Sequence, residues 1–279
     1  MARPSAAPIR LIVNADDFGS SAAVNAGVER ACRDGVVTSA SLVAGGSAFA
    51  DALARLDGLP QLGVGVHLTL AGGRAVAPPA SAPTLIAEDG SLPRNAYAFA
   101  RAHVSGKIAN ADVRTELAAQ LARVRDAGVR VTHVDGHLHL HQFPGVAPLV
   151  VELAREFGVG AARRSRCRLW PAGRRWLGRQ VALRCCAEAF GRLAARAGLK
   201  MPDGLEGQAW AGALTAERLI EMVEKLAPGT WELVCHPATA NATGDEAYDR
   251  AGELAALTAP ALREACEERG VRLINFAAL

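Results

Sequence analysis

The chain has 279 residues, half of them hydrophobic and 21% charged, which excludes a disordered protein. Aromatics are only 5%, so the core must be built largely from Ala, Val and Leu. No apolar run approaches the roughly 20 residues that span a bilayer, and Met1 to Ile9 lacks the apolar stretch of a secretory signal. A cytoplasmic protein is therefore expected. The net charge of +3 hides an asymmetry. Residues 161–200 carry eleven cations against one acid, Glu188, and the other 239 residues sum to −7. Six Cys without C-x-x-C spacing read as reduced, buried thiols.

In chain order, Arg10–Asn14 (RLIVN) is a β-rich run ending in polar residues, and Ser20 or Ser21 caps a helix with Val24, Val28 and Ala31 on one stripe. Gln61–Leu70 reads as a strand. Asp112–Ala127 reads as a helix capped by Asp112, with Leu117, Leu121 and Val124 on one face and Gly128 past its end. A strand at Val129–Val134 precedes a helix from Val146 to Phe157. Thr215 opens a helix that Pro228-Gly229 stops, and Trp231–Cys235 is the next strand. Pro260 starts and Gly270 ends a last helix before the closing strand Val271–Asn275. Strands alternating with helices of about 10–15 residues mean βα units and a parallel sheet. There is no internal repeat and no long linker, so residues 1–279 read as one domain, with a loop insertion around 71–95 and a basic arm at 161–200.

Polar clusters at Asn14–Asp17, His67, His133–His141 and His236 all fall at or just after strand C-termini. A barrel would bring these ends round one mouth, which favours it over an open sheet. The pair Asp16-Asp17 either caps the following helix or does chemistry, one carboxylate holding a metal while the other faces water or substrate. Four of the seven His lie in Thr132–Pro144 (THVDGHLHLHQFP). As continuous strand, eight residues span roughly 26 Å, so one ion cannot take them all. One or two would bind at the strand end, and the rest would serve substrate or support the ligands. His67 and His236 are each either a core histidine or a ligand, and His103 lies in a polar helical stretch and should be exposed. Asp with two imidazoles leaves a divalent metal with open positions, which points to metal-assisted hydrolysis.

NADDFG, GVHLTL, HVDGHLHLHQFP and ELVCHPA, followed by Tyr248-Asp249-Arg250 and Glu253-Leu254, resemble in order the YdjC-like carbohydrate deacetylases, the hopanoid-biosynthesis members most closely. The resemblance implies a distorted (β/α) barrel with fewer than eight regular strands and removal of acetyl groups from N-acetylated amino sugars. It further implies one divalent ion (Zn²⁺, Mg²⁺ or Mn²⁺) on Asp17, His67 and His137, with Asp16 as base and His236 as general acid. Arg163, beside Arg164, would orient the base. Asp135, His139, His141 and Tyr248 are expected on the substrate side. The implied substrate is a sugar or glycolipid, N-acetylglucosamine on a hopanoid, and a homodimer is the implied assembly. Trp and Leu interleaved with the arginines of 161–200 suit an anionic membrane surface at the inner face, and no nucleic-acid-binding signature accompanies them. A catalytically silent sugar-lipid binder, a deacetylase of soluble chitooligosaccharides and a metal phosphoesterase are the alternatives.

Overall fold

The computed structural model describes residues 8–168, 173–241 and 248–279, with the backbone alone at 173–177 and 179. In chain order its elements are β1 (Ile9–Phe18), α1 (Ala22–Arg33), β2 (Ser39–Leu42), α2 (Phe49–Leu56) and β3 (Gly63–Leu68). Then come α3 (Ala96–Val104), α4 (Asn110–Asp126), β4 (Val131–Gly136), α5 (Ala147–Glu156), α6 (Gly173–Arg196) and β5 (Gly204–Glu206). The chain ends with α7 (Ala216–Glu224), β6 (Gly229–Cys235), α8 (Arg250–Leu257), α9 (Pro260–Glu268) and β7 (Val271–Leu273).

Every strand pairing is parallel, in the order β4-β3-β2-β1-β6-β5, with β7 beside the first residues of β1. Strands β2 and β3 are buried along their whole length, as parallel strands covered on both faces must be. The ring closes without a regular eighth strand. Residues 161–167 lie between β4 and β5 and join them by single bridges, Val134 to Ala162 and Cys167 to Leu205. The Arg163 amide donates to the Val134 carbonyl and the Leu205 amide to the Arg166 carbonyl. The architecture is the expected α/β parallel barrel, distorted, with seven regular strands among the described residues.

The elements depart from their expected bounds where polar residues face inward. β1 does not stop at Asn14 but runs to Phe18, because Asn14, Asp16 and Asp17 point into the barrel and not to solvent. β4 runs to Gly136, after which residues 137–142 turn as a short 3₁₀ segment instead of continuing as strand. Ser21 caps α1 and Thr215 caps α7, each accepting a backbone N–H. Asp112 does not cap α4; it lies in the first turn and accepts from the Thr84 amide and hydroxyl. Four of the Cys are buried, but Cys185 is exposed and Cys186 half-buried, on α6. His103 is half-buried, stacked on Phe99 and edge-on to Phe143, where exposure was expected.

Beneath the mouth, His133 is fully buried and stacks on Phe276 with centroids 3.8 Å apart. Its ring also meets Ser41 at 3.2 Å and Thr132 at 3.0 Å. Gly65 on β3 makes room for it: a Cβ there would stand 2.3 Å from the ring. Because the ring is held on three sides, Gly65→Ala should destabilise the fold by about 1–3 kcal/mol. Urea unfolding measures it, and an unchanged midpoint would mean that the ring is free to shift.

Candidate functional site

Asp16 and Asp17 are neighbours, and in a regular strand they would point to opposite faces. The pairing of β1 with β2 shifts register between Ala15 and Phe18, and Asp17 takes φ of 65°, in the left-handed region. Both carboxylates are thereby buried at the barrel mouth. Asp16 turns to Arg163, whose Nη1 and Nη2 donate to its two oxygens at 2.8 and 2.6 Å. Asp17 turns to the histidines: its Oδ1 is 3.4 Å from His137 Nδ1 and 3.7 Å from His67 Nε2.

His67 on β3 stands in register with Asp135 on β4, so their side chains meet across the sheet. Asp135 Oδ1 accepts the Nδ1–H of His67 at 2.8 Å, which leaves Nε2 facing Asp17. A carboxylate behind a ligand histidine fixes its tautomer and raises its basicity. Asp135 is wholly buried, and its Oδ2 accepts from Ser41 at 2.7 Å and pairs with Arg163 at 2.8 Å. Its place is behind His67 and not on a substrate surface. His137, the first residue past β4, keeps about a third of its side chain exposed. Leu138 and His139 then take positive φ, 56° and 58°, and turn the chain back over the barrel.

That turn docks on the closing segment. His139 Nδ1 lies 2.8 Å from the Ser165 hydroxyl, and His141 Nε2 donates to the Arg163 carbonyl at 3.2 Å. His141 is fully buried and His139 half-buried, so of the two only His139 retains access to the mouth. Burial pushes both imidazoles down, His141 to about 4. Arg164, the neighbour of Arg163, points away to Glu188 on α6, so Arg163 is the arginine that meets Asp16.

On the opposite side, His236 follows β6 and its ring stands edge-on to Tyr248, centroids 5.4 Å apart. Glu253 of α8, fully buried, accepts the His236 amide at 2.6 Å and lies 3.9 Å from its Nδ1. Arg250, the first residue of α8, donates from Nη2 to Asp17 Oδ2 at 2.8 Å. The loop after β3 is held from α4: Gln120 pairs with the Thr69 backbone, and Glu116 accepts the Val76 and Ala77 amides. This brings Gly72 beside His137, where a Cβ would sit 3.6 Å from Nε2.

Asp17, His67 and His137 offer donor atoms all within 4.8 Å of one another. A second set, Asp16, His67 and Asp135, meets the same limit. There, however, both carboxylates are engaged by Arg163 and His67 Nδ1 is already bound to Asp135. The first set fits a cation, and charge supports it. Four carboxylates (Asp16, Asp17, Asp135 and Glu232) are linked through these contacts to two guanidiniums (Arg163 and Arg250), two positive charges short. Protons cover part of that deficit. Burial opposes charge on His67, yet Asp135 and Asp16 push it up to about 9. Burial pushes Glu232 up to about 7. For Asp17, burial favours the neutral acid, but the hydrogen bond and charge of His137 outweigh it and hold the carboxyl well below its usual range.

Four contributors had no assigned role in the sequence. Glu232 (WELVC) holds Arg163 Nε at 2.7 Å, and a carboxylate inside an apolar strand is the signal that a buried cation awaits it. Arg250 and Glu253 stand in the resemblance motifs, but their spacing from the other motifs hides the contact. Ser41 lies in an unnoticed strand.

The fold and site define a parallel α/β barrel with an Asp-His-His cluster that could hold a cation at the C-terminal ends of its strands, and a separate arginine-held carboxylate beside it. The chain belongs to the YdjC-like family, whose model matches residues 10–268. A carbohydrate deacetylase of Geobacillus stearothermophilus is 35% identical, covering 96% of this chain and 97% of its own length. A chitooligosaccharide deacetylase of Klebsiella pneumoniae is 33% identical, over 95% and 97%. A crystal structure of a candidate cellobiose-phosphate cleavage protein from Enterococcus faecalis V583 superimposes with a TM-score of 0.78 at 26% identity, covering 97% of this chain and 98% of that one.

Because a ligand imidazole must be neutral, a metal bound at this site would compete with the His67 proton. Zn²⁺ affinity should rise about tenfold per pH unit up to the His67 value near 9 and then level off. Asp135→Asn removes the largest influence raising that value and should move the plateau to lower pH. Competition against a chromophoric chelator reads both, and a pH-independent affinity would exclude His67 as a ligand.

Proposed function

We propose that this chain is a metal-dependent carbohydrate N-deacetylase that hydrolyses the acetamido group of an N-acetylated amino sugar. The observation that carries the reading is the division of labour between two adjacent carboxylates, Asp17 among the histidines and Asp16 clamped by Arg163. One divalent ion, Zn²⁺, Mn²⁺ or Mg²⁺, would be held by Asp17, His67 and His137. When bound it supplies Lewis-acid polarisation of the acetamido carbonyl and lowers the pKa of a water.

Asp16 accepts the proton of the attacking water. Arg163 keeps it aimed through two hydrogen bonds, with Oδ2 4.0 Å from His67 Nε2 and so beside the cluster that would hold the ion. Glu232 and Asp135 hold the guanidinium from its other edges and prevent it from swinging away. His236 donates a proton to the departing amine, because an unprotonated amide nitrogen is a very poor leaving group. Its backbone is anchored by the bond to Glu253, and Tyr248 stands edge-on to its ring. The alternative of a silent binding protein leaves this set of charges without a use, since each costs burial energy.

Asp16→Asn should keep the metal content of the purified protein while kcat falls by about 10²–10⁴. Acetate release from a chitooligosaccharide or an N-acetylglucosaminyl hopanoid measures it, and retained turnover would remove Asp16 as base. The ratio of the two substrates also decides the acceptor.

For the acceptor we favour the hopanoid-linked sugar. The resemblance to the hopanoid-biosynthesis members supports it, as does the basic segment 161–200. Leu138, just past β4, and Val181 on α6 are exposed apolar side chains. Leu169, Trp170, Trp176 and Leu177, part of the interleaved apolar set, lie outside the described residues. Among the described residues no helix is long and apolar enough to cross a membrane, so attachment at the inner face would be peripheral. Flotation with anionic vesicles should recover the protein at low salt and lose it at high salt; no recovery at low salt would exclude the attachment. The homodimer rests on the family resemblance alone.

A further inference from the structure

The two oxygens of Asp17 have different partners. Oδ1 faces His67 Nε2 and His137 Nδ1, while Oδ2 accepts a hydrogen bond from Arg250 Nη2 at 2.8 Å. Neither partner is loose: the Arg250 and Asp17 side chains are 14% and 8% exposed. The Arg250 guanidinium also lies 5.3 Å above the Tyr248 ring, which His236 meets edge-on. Its backbone is pinned as well. The Ala238 amide donates to the Arg250 carbonyl, the Asp249 amide donates to the Gly212 carbonyl, and the Asp249 side chain caps α8.

We propose that Arg250 is a positioning residue for the cation site, occupying Asp17 Oδ2 so that the aspartate presents Oδ1 alone. The proposal rests on the reading of Asp17, His67 and His137 as the cation site. Three protein donors, one of them a single carboxylate oxygen, suit a small ion of low coordination number with room for water and substrate. A carboxylate free to offer both oxygens would raise the coordination number and favour hard ions that accept it, such as Ca²⁺ or Mn²⁺. In the absence of a cation the same hydrogen bond holds Asp17 in its left-handed backbone conformation and preserves the site. Arg250 thus fixes both the shape of the donor set and its preference among ions. Its place on α8 ties that preference to the element that also carries Glu253, the anchor of the His236 backbone.

The test uses cobalt(II) alone, added to the metal-free protein, with visible absorption as a readout independent of turnover. Wild-type protein should bind one equivalent with the intense bands of a low-coordinate ion, and Asp17→Asn should abolish them. In Arg250→Met the bands should weaken severalfold and Zn²⁺ affinity should fall by about 10–100-fold, the usual effect of losing a group behind a ligand. Mn²⁺ affinity should fall less, so the preference for Zn²⁺ narrows. Arg250→Lys, which keeps a cationic donor, should recover part of the spectrum, and it decides the matter if the methionine variant does not fold. Wild-type bands and unchanged Zn²⁺ and Mn²⁺ affinities in both variants would overturn the proposal. Failure of the wild-type protein to bind cobalt(II) at all would instead overturn the reading of the cation site.

Discussion

A single guanidinium at the centre of the barrel sets the terms for everything around it. Arg163 has no solvent exposure, and its nitrogens meet Asp16, Asp135 and Glu232 at 2.6 to 2.8 Å. These partners come from β1, β4 and β6, while Arg163 itself comes from the closing segment. Removing a charge from water costs several kcal/mol even after relaxation, and only good geometry with opposite charges offsets it. The cluster therefore specifies the closure. Single backbone bridges at residues 161–167 would be a weak seam, and the ion contacts secure it from inside.

The same cluster prepares the cation site. Three carboxylates around one guanidinium leave excess negative charge, and His67, bonded to Asp135, is the neighbour through which that excess is felt. Asp135 and Asp16 push His67 up against its burial, and they add to the burial that pushes Glu232 up. A proton on His67 and a divalent ion beside it are alternative ways to balance that excess. The barrel interior thus carries a negative charge that an ion held by Asp17, His67 and His137 would offset.

Much of this was legible because the ligands and the candidate acid and base fall where strands end, and apolar runs that stop in Asp or His are conspicuous. What escaped notice escaped for physical reasons. β2 (SASL) is a fully buried strand, yet Ser39 and Ser41 point inward to bond a carbonyl and Asp135, so it lacks the apolar pattern of a strand. β5 has only three residues and is framed by Gly204 and Gly207. Asp135 lies in the same alternating run as His137, and its distinct place depends on register with β3, which no single segment encodes. Arg250 reaches Asp17 from 233 residues away, a contact set by the barrel's closure and not by any local pattern.

Among the described residues, the non-glycine residues with positive φ are Asp17, Leu138 and His139. Each costs of order 1–3 kcal/mol unless its surroundings impose it, and here the surroundings are identifiable. Asp17 is held by Arg250 and the histidines, and His139 by Ser165. At Asp17 the result is that consecutive carboxylates, which a regular strand would send to opposite faces, are both buried at one mouth with different neighbours. At 138–139 the turn that follows β4 and His137 leaves His137 partly open to solvent, while His141 is folded back into the core. Under the proposed reading, one carboxylate would hold an ion and another would stay free of it within a few ångströms. Placing them on consecutive residues achieves that separation only if the backbone between them is forced out of the strand conformation. The left-handed aspartate is therefore the local cost of giving adjacent carboxylates different neighbours, Arg163 for Asp16 and the histidines with Arg250 for Asp17.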